Sequence, residues 1–198
     1  LLACALAAGR DWRVYSRVDT ASYLSALGEV GDVTLADGSH AVLASDSRID
    51  TQFSHRWRRV TLERGDAIFD VAKDASRPFV VAAQGRHVVA MGTRFSVRHD
   101  EHALRGVVTE GTVRLETPAD SGGPQPVTLL PAGSLALVQD NGVLLRTLTL
   151  DEARRMLDWR DGLLEFRNAT LAQAAAEFNR YNTRKLVIDD DAAGALPI

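Results

Sequence analysis

A Gly92-Thr93 pair separates two β-like runs in the stretch VVAMGTRFSVRHD, residues 88–100. A threonine hydroxyl can attack the carbonyl that precedes it when the peptide bond is strained, giving an ester that water then hydrolyses. Glycine on the acyl side leaves that carbonyl open to attack. The pair is therefore either a peptide bond that the protein cuts itself or a bulge or turn before a strand, and local chemistry alone favours the turn.

The densest polar cluster is RHDEH at residues 98–102, which includes His99 and His102. Metal-binding helices place two histidines at i and i+4, and a strand would place its ligands on one face, so this spacing fits neither arrangement. The acidic run at 189–191 lacks the spacing of a calcium loop. Both segments are interpreted as solvated turns, and the sequence predicts no metal site and no cofactor.

The composition describes an ordinary globular protein without the motifs of a conventional enzyme. The chain has 198 residues, 45% of them hydrophobic and 25% charged, and a formal net charge of -3. No basic block is present, so a nucleic-acid partner is not expected. No Gly-rich phosphate loop, nucleophile elbow or paired carboxylates stand out. The single cysteine, Cys4, excludes an internal disulfide.

The chain starts with an apolar stretch, LLACALAA, that no Met precedes. A membrane span takes about 20 residues, so this stretch is too short to be a complete one. We interpret residues 1–11 as the end of a transmembrane helix, the alternative being the first turns of a buried helix. Residues 12–29 show no firm period and are interpreted as a linker.

A β pattern dominates residues 30–148. Short runs of β-branched and apolar residues are punctuated by Gly, Asp and Pro, and several runs alternate, as in RFSVR where Phe95 and Val97 share one face. Turns are predicted at Asp37-Gly38, Arg64-Gly65-Asp66 and Asn141-Gly142. The sequence therefore predicts a mainly β domain, sandwich- or solenoid-like. The candidate strands are DVTLA, HAVLA, RVTLE, AIFDVA, FVVAA, HVVAM, RFSVR, GTVRLE, VTLL, SLALV and VLLRTLTL.

The pattern changes period after residue 148. Two helices are predicted, each with a capping box at its start, Thr149 with Glu152 and Thr170 with Gln173. Short strands are predicted on either side of the second helix, at 163–167 and 185–188. Residues 149–198 are thus predicted to hold a helix and then the start of a small α/β unit that does not close its own sheet.

Several stretches, taken in order, resemble the periplasmic part of the FecR family of transmembrane anti-sigma regulators. Each piece is weak, but their order and spacing over residues 30–182 are specific. The segment from Trp159 to Tyr181 is similar to the start of a secretin and TonB N-terminal domain. The stretches are LADGSHAVLASDSRI, RRVTLERGDAIFDVAKDASRPFVVAAQGRHVVAMGTRFSVR, VTEGTVRL, LPAGSLALV and WRDGLLEFRNATLAQAAAEFNRYN.

This resemblance implies the periplasmic sensor portion of a single-pass inner-membrane protein. Its implied partner is the N-terminal signalling domain of an outer-membrane TonB-dependent transducer, usually one that imports a ferric siderophore. The regulated extracytoplasmic-function sigma factor would bind a cytoplasmic segment absent from this sequence. Some members of the family are cleaved at this Gly-Thr bond by an N-to-O acyl shift, which here maps to Gly92 and Thr93.

An exposed strand edge suits partner binding by strand addition. We therefore expect the transducer to contact the edge formed by Lys185, Leu186, Val187 and Ile188, with Leu164, Phe166 and Phe178 mostly in the core.

Two other functional classes stay open at this point. One is a periplasmic β domain that binds a small ligand or an envelope polysaccharide, which would need clustered exposed aromatic residues. The other is a cupin-like metalloenzyme, which would need converging histidines, and the sequence has no His-x-His pair.

Overall fold

The computed structural model describes residues 18–100, 103–117, 127–139, 142–166 and 168–198. The stretch predicted to end a membrane helix, including Cys4, lies outside these residues, as does Asn141. None of the described helices is long and apolar enough to cross a membrane. The described strands are β1 Asp19–Leu24, β2 Gly31–Thr34, β3 His40–Leu43, β4 Arg48–Phe53, β5 Arg58–Asp70, β6 Phe79–Ala83, β7 Arg86–Ala90, β8 Arg94–His99, β9 Leu104–Glu110, β10 Thr112–Glu116, β11 Val127–Pro131, β12 Ser134–Gln139 and β13 Gly142–Thr147.

One long strand, β5, belongs to two sheets. Its first half pairs with β4 and β6, and its second half, from Gly65 onward, pairs with β3 and β8. The first sheet has the order β1-β4-β5-β6-β7-β10-β11, and the second has the order β2-β3-β5-β8-β9-β12-β13. The sheet therefore curls into a half-barrel, which confirms the prediction of a mainly β fold.

The predicted turn at Arg64-Gly65-Asp66 is wrong, because the chain continues there as strand. Gly65 has φ +89°, and a Cβ at this position would lie 2.1 Å from the Ser47 Oγ. Only glycine combines this backbone conformation with so close an approach. The glycine thus lets β5 pass from one sheet to the other without ending.

The main core lies between the two sheets. Buried phenylalanines from both sheets meet there: the ring of Phe69 lies 5.7 Å from that of Phe79 and 5.5 Å from that of Phe95, between centroids. All three side chains are buried. Burying a side chain of this kind contributes about 1.5–3 kcal/mol, so these three rings stabilise the packing of the two sheets.

Three strands escaped prediction, and one of them corrects the linker assigned to residues 12–29. Strand β1 pairs with β4 over six residues, from Asp19 with Phe53 to Leu24 with Arg48. Its residues are almost all exposed, so the alternation that reveals a half-buried strand is missing. Strand β4 and strand β9, which contains Gly106, were missed as well.

The outer face of the second sheet carries a second apolar cluster. Helix α1 (Leu150–Arg155) and a 3₁₀ helix (Asp158–Asp161) bring Ala153, Leu157 and Trp159 onto Ile68 and Val107. The predicted capping box of α1 is confirmed: its Thr149 side chain accepts a hydrogen bond from the Glu152 N–H, and the Glu152 carboxylate accepts one from the Thr149 N–H.

The C-terminal segment is helical, and the two strands predicted there are wrong for the residues that the structure describes. Helices α2 (Leu171–Tyr181) and α3 (Asp191–Gly194) form, and the capping box that starts α2 is confirmed. Residues 163–166 and 185–188 belong to no strand, and the pairing seen here is an isolated bridge between Thr170 and Pro197. The helix of the predicted α/β unit is therefore present without its sheet.

Candidate functional site

The Gly92-Thr93 bond lies in the short connection between β7 and β8. This connection crosses from the first sheet to the second, because β7 pairs with β6 and β10 whereas β8 pairs with β5 and β9. The two flanking runs are therefore not paired with each other. Each run is instead held by strands from both sides of the bond, which decides what a cut there would do.

A second crossing segment lies beside the first. Residues 71–78 lead from the end of β5 in the second sheet to the start of β6 in the first. The two crossings are joined by a hydrogen bond, in which the Val71 N–H donates to the Thr93 carbonyl oxygen at 3.0 Å. The backbone around the Gly-Thr bond is therefore fixed by another part of the chain.

Only glycine fits at position 92. Its φ is +117°, a conformation that L side chains rarely adopt. A Cβ there would also lie 2.5 Å from the Lys73 Cγ and 3.1 Å from the Lys73 Cα, on the neighbouring crossing. The Lys73 stem thus packs directly against Gly92 and keeps the acyl side of the bond in this unusual geometry.

The Thr93 hydroxyl is buried and has no hydrogen-bond partner among the described residues. Buried hydroxyls are nearly always paired, so this one is held in a costly state. Its methyl group packs against Gly111, where an added Cβ would lie 2.7 Å from the Thr93 Cγ2 and 3.5 Å from the Gly92 carbonyl oxygen. Gly111 therefore leaves the space that the Thr93 side chain occupies.

A buried arginine holds the second crossing, residues 71–78, through hydrogen bonds to its backbone. Arg58 is 1% exposed and donates hydrogen bonds to the Ala72 and Arg77 carbonyl oxygens, at 2.9 and 2.8 Å, and to the Asp37 carboxylate at 2.9 Å. Its guanidinium also lies over the Phe79 ring, 5.6 Å from the centroid. These bonds fix the crossing that carries Lys73, and with it the surroundings of Gly92.

Comparisons with known proteins agree with this architecture. Residues 20–114 match the family described as FecR protein. Two crystal structures from Parabacteroides distasonis ATCC 8503, each described as a "putative anti-sigma factor", share the fold. Both are 23% identical to this chain; the first covers 87% of it with a TM-score of 0.72 and the second 90% with a TM-score of 0.76, and the chain covers 82% of each. No curated protein matches the chain.

The FecR match contains the Gly-Thr bond and each group placed around it. Gly92, Thr93 and Gly111 belong to stretches in which the sequence resembles the FecR family. Lys73 and Arg58 also lie in such a stretch, but nothing in their local pattern assigned them a role. A lysine in a polar loop and an arginine at the start of a strand are ordinary, so only the fold could bring them to this site.

The remaining polar residues singled out in the sequence do not assemble into a metal site. His99 has its Nδ1 3.3 Å from the Leu62 carbonyl oxygen, and His102 lies outside the described residues. Within the described part of the chain, no group of three or more His, Cys, Asp or Glu side chains could hold a metal ion.

The segment named as a partner edge follows α2, outside the FecR match. The Asn179 side-chain amide is hydrogen-bonded to both backbone polar groups of Leu186: its oxygen accepts from the Leu186 N–H at 2.7 Å, and its nitrogen donates to the Leu186 carbonyl oxygen at 2.8 Å. Leu186 and Val187 have exposed fractions of 53% and 78%, and Ile188 is half-buried beside Gly194. Lys185 donates from its Nζ to the Asn179 carbonyl oxygen. Phe178, expected mostly in the core, is 41% exposed.

Helix α2 docks through a polar cluster on residues 20–114, the part of the chain that matches the FecR family and is called the FecR segment below. Arg98 of β8 donates from its Nη1 to both carboxylate oxygens of Glu177, at 3.0 and 2.8 Å, and the Ser45 hydroxyl donates to the Arg180 carbonyl oxygen at 2.7 Å. The hydroxyl of Tyr181 is buried without a hydrogen-bond partner in the described residues, and burial raises its pKa to about 12.

Asp66 lies fully buried beneath this helix. Burial raises its pKa to about 6, and the cations Arg105, Arg98 and Arg180 offset only part of that rise. Arg105 has its Nη2 3.8 Å from the Asp66 Oδ2, too far for a hydrogen bond, and the Oδ1 has no partner in the described residues. Compared with the unfolded chain, the folded protein therefore favours the protonated form of the Asp66 carboxyl.

We expect Asp66→Asn to stabilise the protein at pH 7 by roughly 2–3 kcal/mol, since each pKa unit is worth about 1.4 kcal/mol. The folded pKa is raised above the ordinary 3.8. The wild-type stability from the protonated carboxyl is therefore complete below about pH 4 and lost as the pH rises through about 6. Urea unfolding of both proteins between pH 4 and 7 measures this effect. Parallel stability curves would show that Asp66 does not titrate in this range.

Proposed function

We propose that this chain is the signal-receiving part of a FecR-type regulator that controls an extracytoplasmic-function sigma factor. The observation that carries the proposal is the FecR match over residues 20–114. The shared fold of two structures described as anti-sigma factors supports the architecture. In this proposal the chain is the periplasmic portion of a single-pass inner-membrane protein, and a cytoplasmic segment outside these residues binds the sigma factor.

The proposed partner is the signalling domain of an outer-membrane TonB-dependent transducer, in a system for ferric-siderophore uptake. The residues assigned to this contact are Lys185, Leu186, Val187 and Ile188. Leu186 and Val187 are adjacent apolar residues with exposed fractions of 53% and 78%, which supports this assignment. The Leu186 N–H and carbonyl oxygen are already hydrogen-bonded to Asn179. We therefore expect the contact to use the Leu186 and Val187 side chains rather than strand addition at Leu186.

The substitution pair Leu186→Asp and Val187→Asp tests this contact. We expect it to weaken binding of the transducer signalling domain at least about tenfold, because two carboxylates would have to be desolvated in the interface. The probe is the N-terminal signalling domain of a TonB-dependent transducer from the same organism, titrated by calorimetry. The matched control is Val127→Asp with Leu129→Asp, since these side chains are 54% and 62% exposed on the edge strand β11.

The three possible outcomes separate the location of the contact from its existence. Loss of affinity in the 186/187 pair alone supports the assignment. Equal affinity in both pairs moves the contact elsewhere on the chain. If the wild-type chain shows no binding, the transducer is not its partner.

We further propose that the protein cuts its own Gly92-Thr93 bond. The Thr93 hydroxyl would attack the Gly92 carbonyl carbon, the C–N bond would break as the nitrogen takes up the hydroxyl proton, and an ester would join Gly92 to the Thr93 oxygen. Water would then hydrolyse the ester, leaving a carboxylate on Gly92 and a free amine and hydroxyl on Thr93. Support comes from the left-handed Gly92 backbone, the unpartnered hydroxyl and the close packing of Lys73 and Gly111.

A further inference from the structure

A cleft of about 390 Å³ lies between the FecR segment and the helices that follow it. One wall is formed by the ends of β8 and β9, including Arg94 and Glu110, and the other by α1 and the 3₁₀ helix, including Arg154 and Arg160. A volume of this size is at the lower end of the range for small-molecule sites, which is about 300–1,000 Å³. The cleft is therefore large enough for a small ligand but too small for a folded partner.

The lining of the cleft carries more positive than negative side chains. Three arginines line it together with one acidic residue, Glu110. Each arginine has a carboxylate partner, Asp70, Asp151 or Asp161, but none of these partners lines the cleft. All three pairs are substantially exposed to solvent, and exposed ion pairs of this kind contribute little. The guanidinium groups are therefore available to a better anion.

The chemistry of these groups defines the ligand. A guanidinium offers two parallel N–H donors that match the oxygens of a carboxylate or a phosphate. Leu150 and Leu157 supply apolar surface beside them, which strengthens a charged contact by excluding water. Three guanidinium groups on the two walls of the cleft match an anion with several charged groups better than they match a single carboxylate.

We propose that this cleft binds a small molecule that carries at least two carboxylate or phosphate groups. Such a ligand would join Arg94, which follows Thr93 directly, to the helices that connect the FecR segment with α2. This assignment stands on the cleft alone and does not depend on the transducer contact or on self-cleavage.

Calorimetric titration of the full 198-residue protein at constant ionic strength tests the proposal. The probes are pyrophosphate, propane-1,2,3-tricarboxylate and, as a singly charged control, acetate. We expect at least one multivalent anion to bind with a Kd below about 1 mM and acetate not to saturate. Binding of pyrophosphate alone identifies a phosphate ligand, binding of the tricarboxylate alone identifies a carboxylate ligand, and binding of both identifies a site for either group.

The variant Arg154→Gln with Arg160→Gln is expected to weaken that binding at least about tenfold, since two of the three forks are lost. Arg146→Gln, an exposed arginine on β13 outside the cleft, is the matched control. Thermal unfolding of each variant verifies that it folds. Equal weakening in the control, equal binding of acetate, or no multivalent anion binding with a Kd below about 1 mM would overturn the proposal.

Discussion

The wild-type protein is expected to run as two fragments that meet at residues 92 and 93 on a denaturing gel, whereas Thr93→Ala remains one chain of 21.5 kDa. The alanine lacks the hydroxyl oxygen that attacks the Gly92 carbonyl carbon in the proposed reaction, so we expect the loss of cleavage to be complete. Thr93→Ser keeps a hydroxyl and should still be cut. Mass spectrometry of the fragments identifies the bond.

Gly111→Ala tests whether cleavage depends on the position of the Thr93 hydroxyl, because this variant keeps the hydroxyl but displaces it. The new Cβ would lie 2.7 Å from the Thr93 Cγ2, so the Thr93 side chain must move. We expect cleavage at least about tenfold slower, because small misplacements of a nucleophile have large effects. Gly85→Ala is the matched control: Gly85 also has a positive φ, +67°, but an added Cβ there meets nothing within 4 Å.

The fragments should stay together after the cut. Strand β8 of the second fragment pairs with β5 of the first over six residues, from Gly65 with His99 to Asp70 with Arg94, and β10 pairs with β7 across the same division. Gel filtration without denaturant should therefore give one peak that contains both fragments. A single unbroken wild-type chain on the denaturing gel would refute self-cleavage but would leave the regulator proposal intact.

Asp37→Ala is expected to destabilise the protein by about 3–5 kcal/mol. The Asp37 and Arg58 side chains are each 1% exposed and lie 2.9 Å apart, so removing the carboxylate leaves a buried cation without its counter-charge. The free energy of unfolding in urea measures the effect. Because Arg58 also holds the 71–78 crossing, the same variant should cleave more slowly at Gly92-Thr93.

Two further variants test the cause of that loss. Adding Arg58→Met to Asp37→Ala removes the unpaired charge together with the bonds to the Ala72 and Arg77 carbonyl oxygens, so the double variant should cost less than the sum of the two single substitutions. Arg64→Met breaks an exposed pair with Asp46, in which the side chains are 50% and 57% exposed, and should cost less than about 1 kcal/mol. If Asp37→Ala costs no more than Arg64→Met, the buried pair does not support the crossing.

The β class could be predicted because alternation survives wherever one face of a strand is buried. In β8, Phe95 and Val97 lie in the core as the pattern RFSVR indicates. Strand β1 shows the opposite case, because an edge strand that is exposed on both faces has no alternation to read. The prediction of a turn at Gly65 was wrong for another reason: a glycine with positive φ can bend a strand as well as end it.

The C-terminal strands failed because a short apolar run does not specify its hydrogen-bond partner. The run at 185–188 has strand-like composition, but Asn179 provides the donor and the acceptor that a neighbouring strand would give to Leu186. The two helices were predictable, since capping boxes act within four residues and need no distant partner.

The candidate site could be located in the sequence but not explained there. The Gly92-Thr93 pair is visible as a glycine before a β-like run, with a known counterpart in the FecR family. Its surroundings depend on contacts between distant segments: Lys73 reaches it from the other crossing, and Gly111 reaches it from the β9–β10 turn. Such contacts follow from the tertiary arrangement of the strands, which no local pattern could reveal.

The most direct test of the regulator proposal is transcription from a promoter that depends on the extracytoplasmic-function sigma factor that the complete protein is proposed to control. Cells would carry the complete protein, either wild type, with Leu186→Asp and Val187→Asp, or with the control pair Val127→Asp and Leu129→Asp. We expect the signal to change transcription in the wild type and the control but not in the 186/187 variant. A normal response in a strain that lacks residues 18–198 would contradict the proposal that this chain receives the signal.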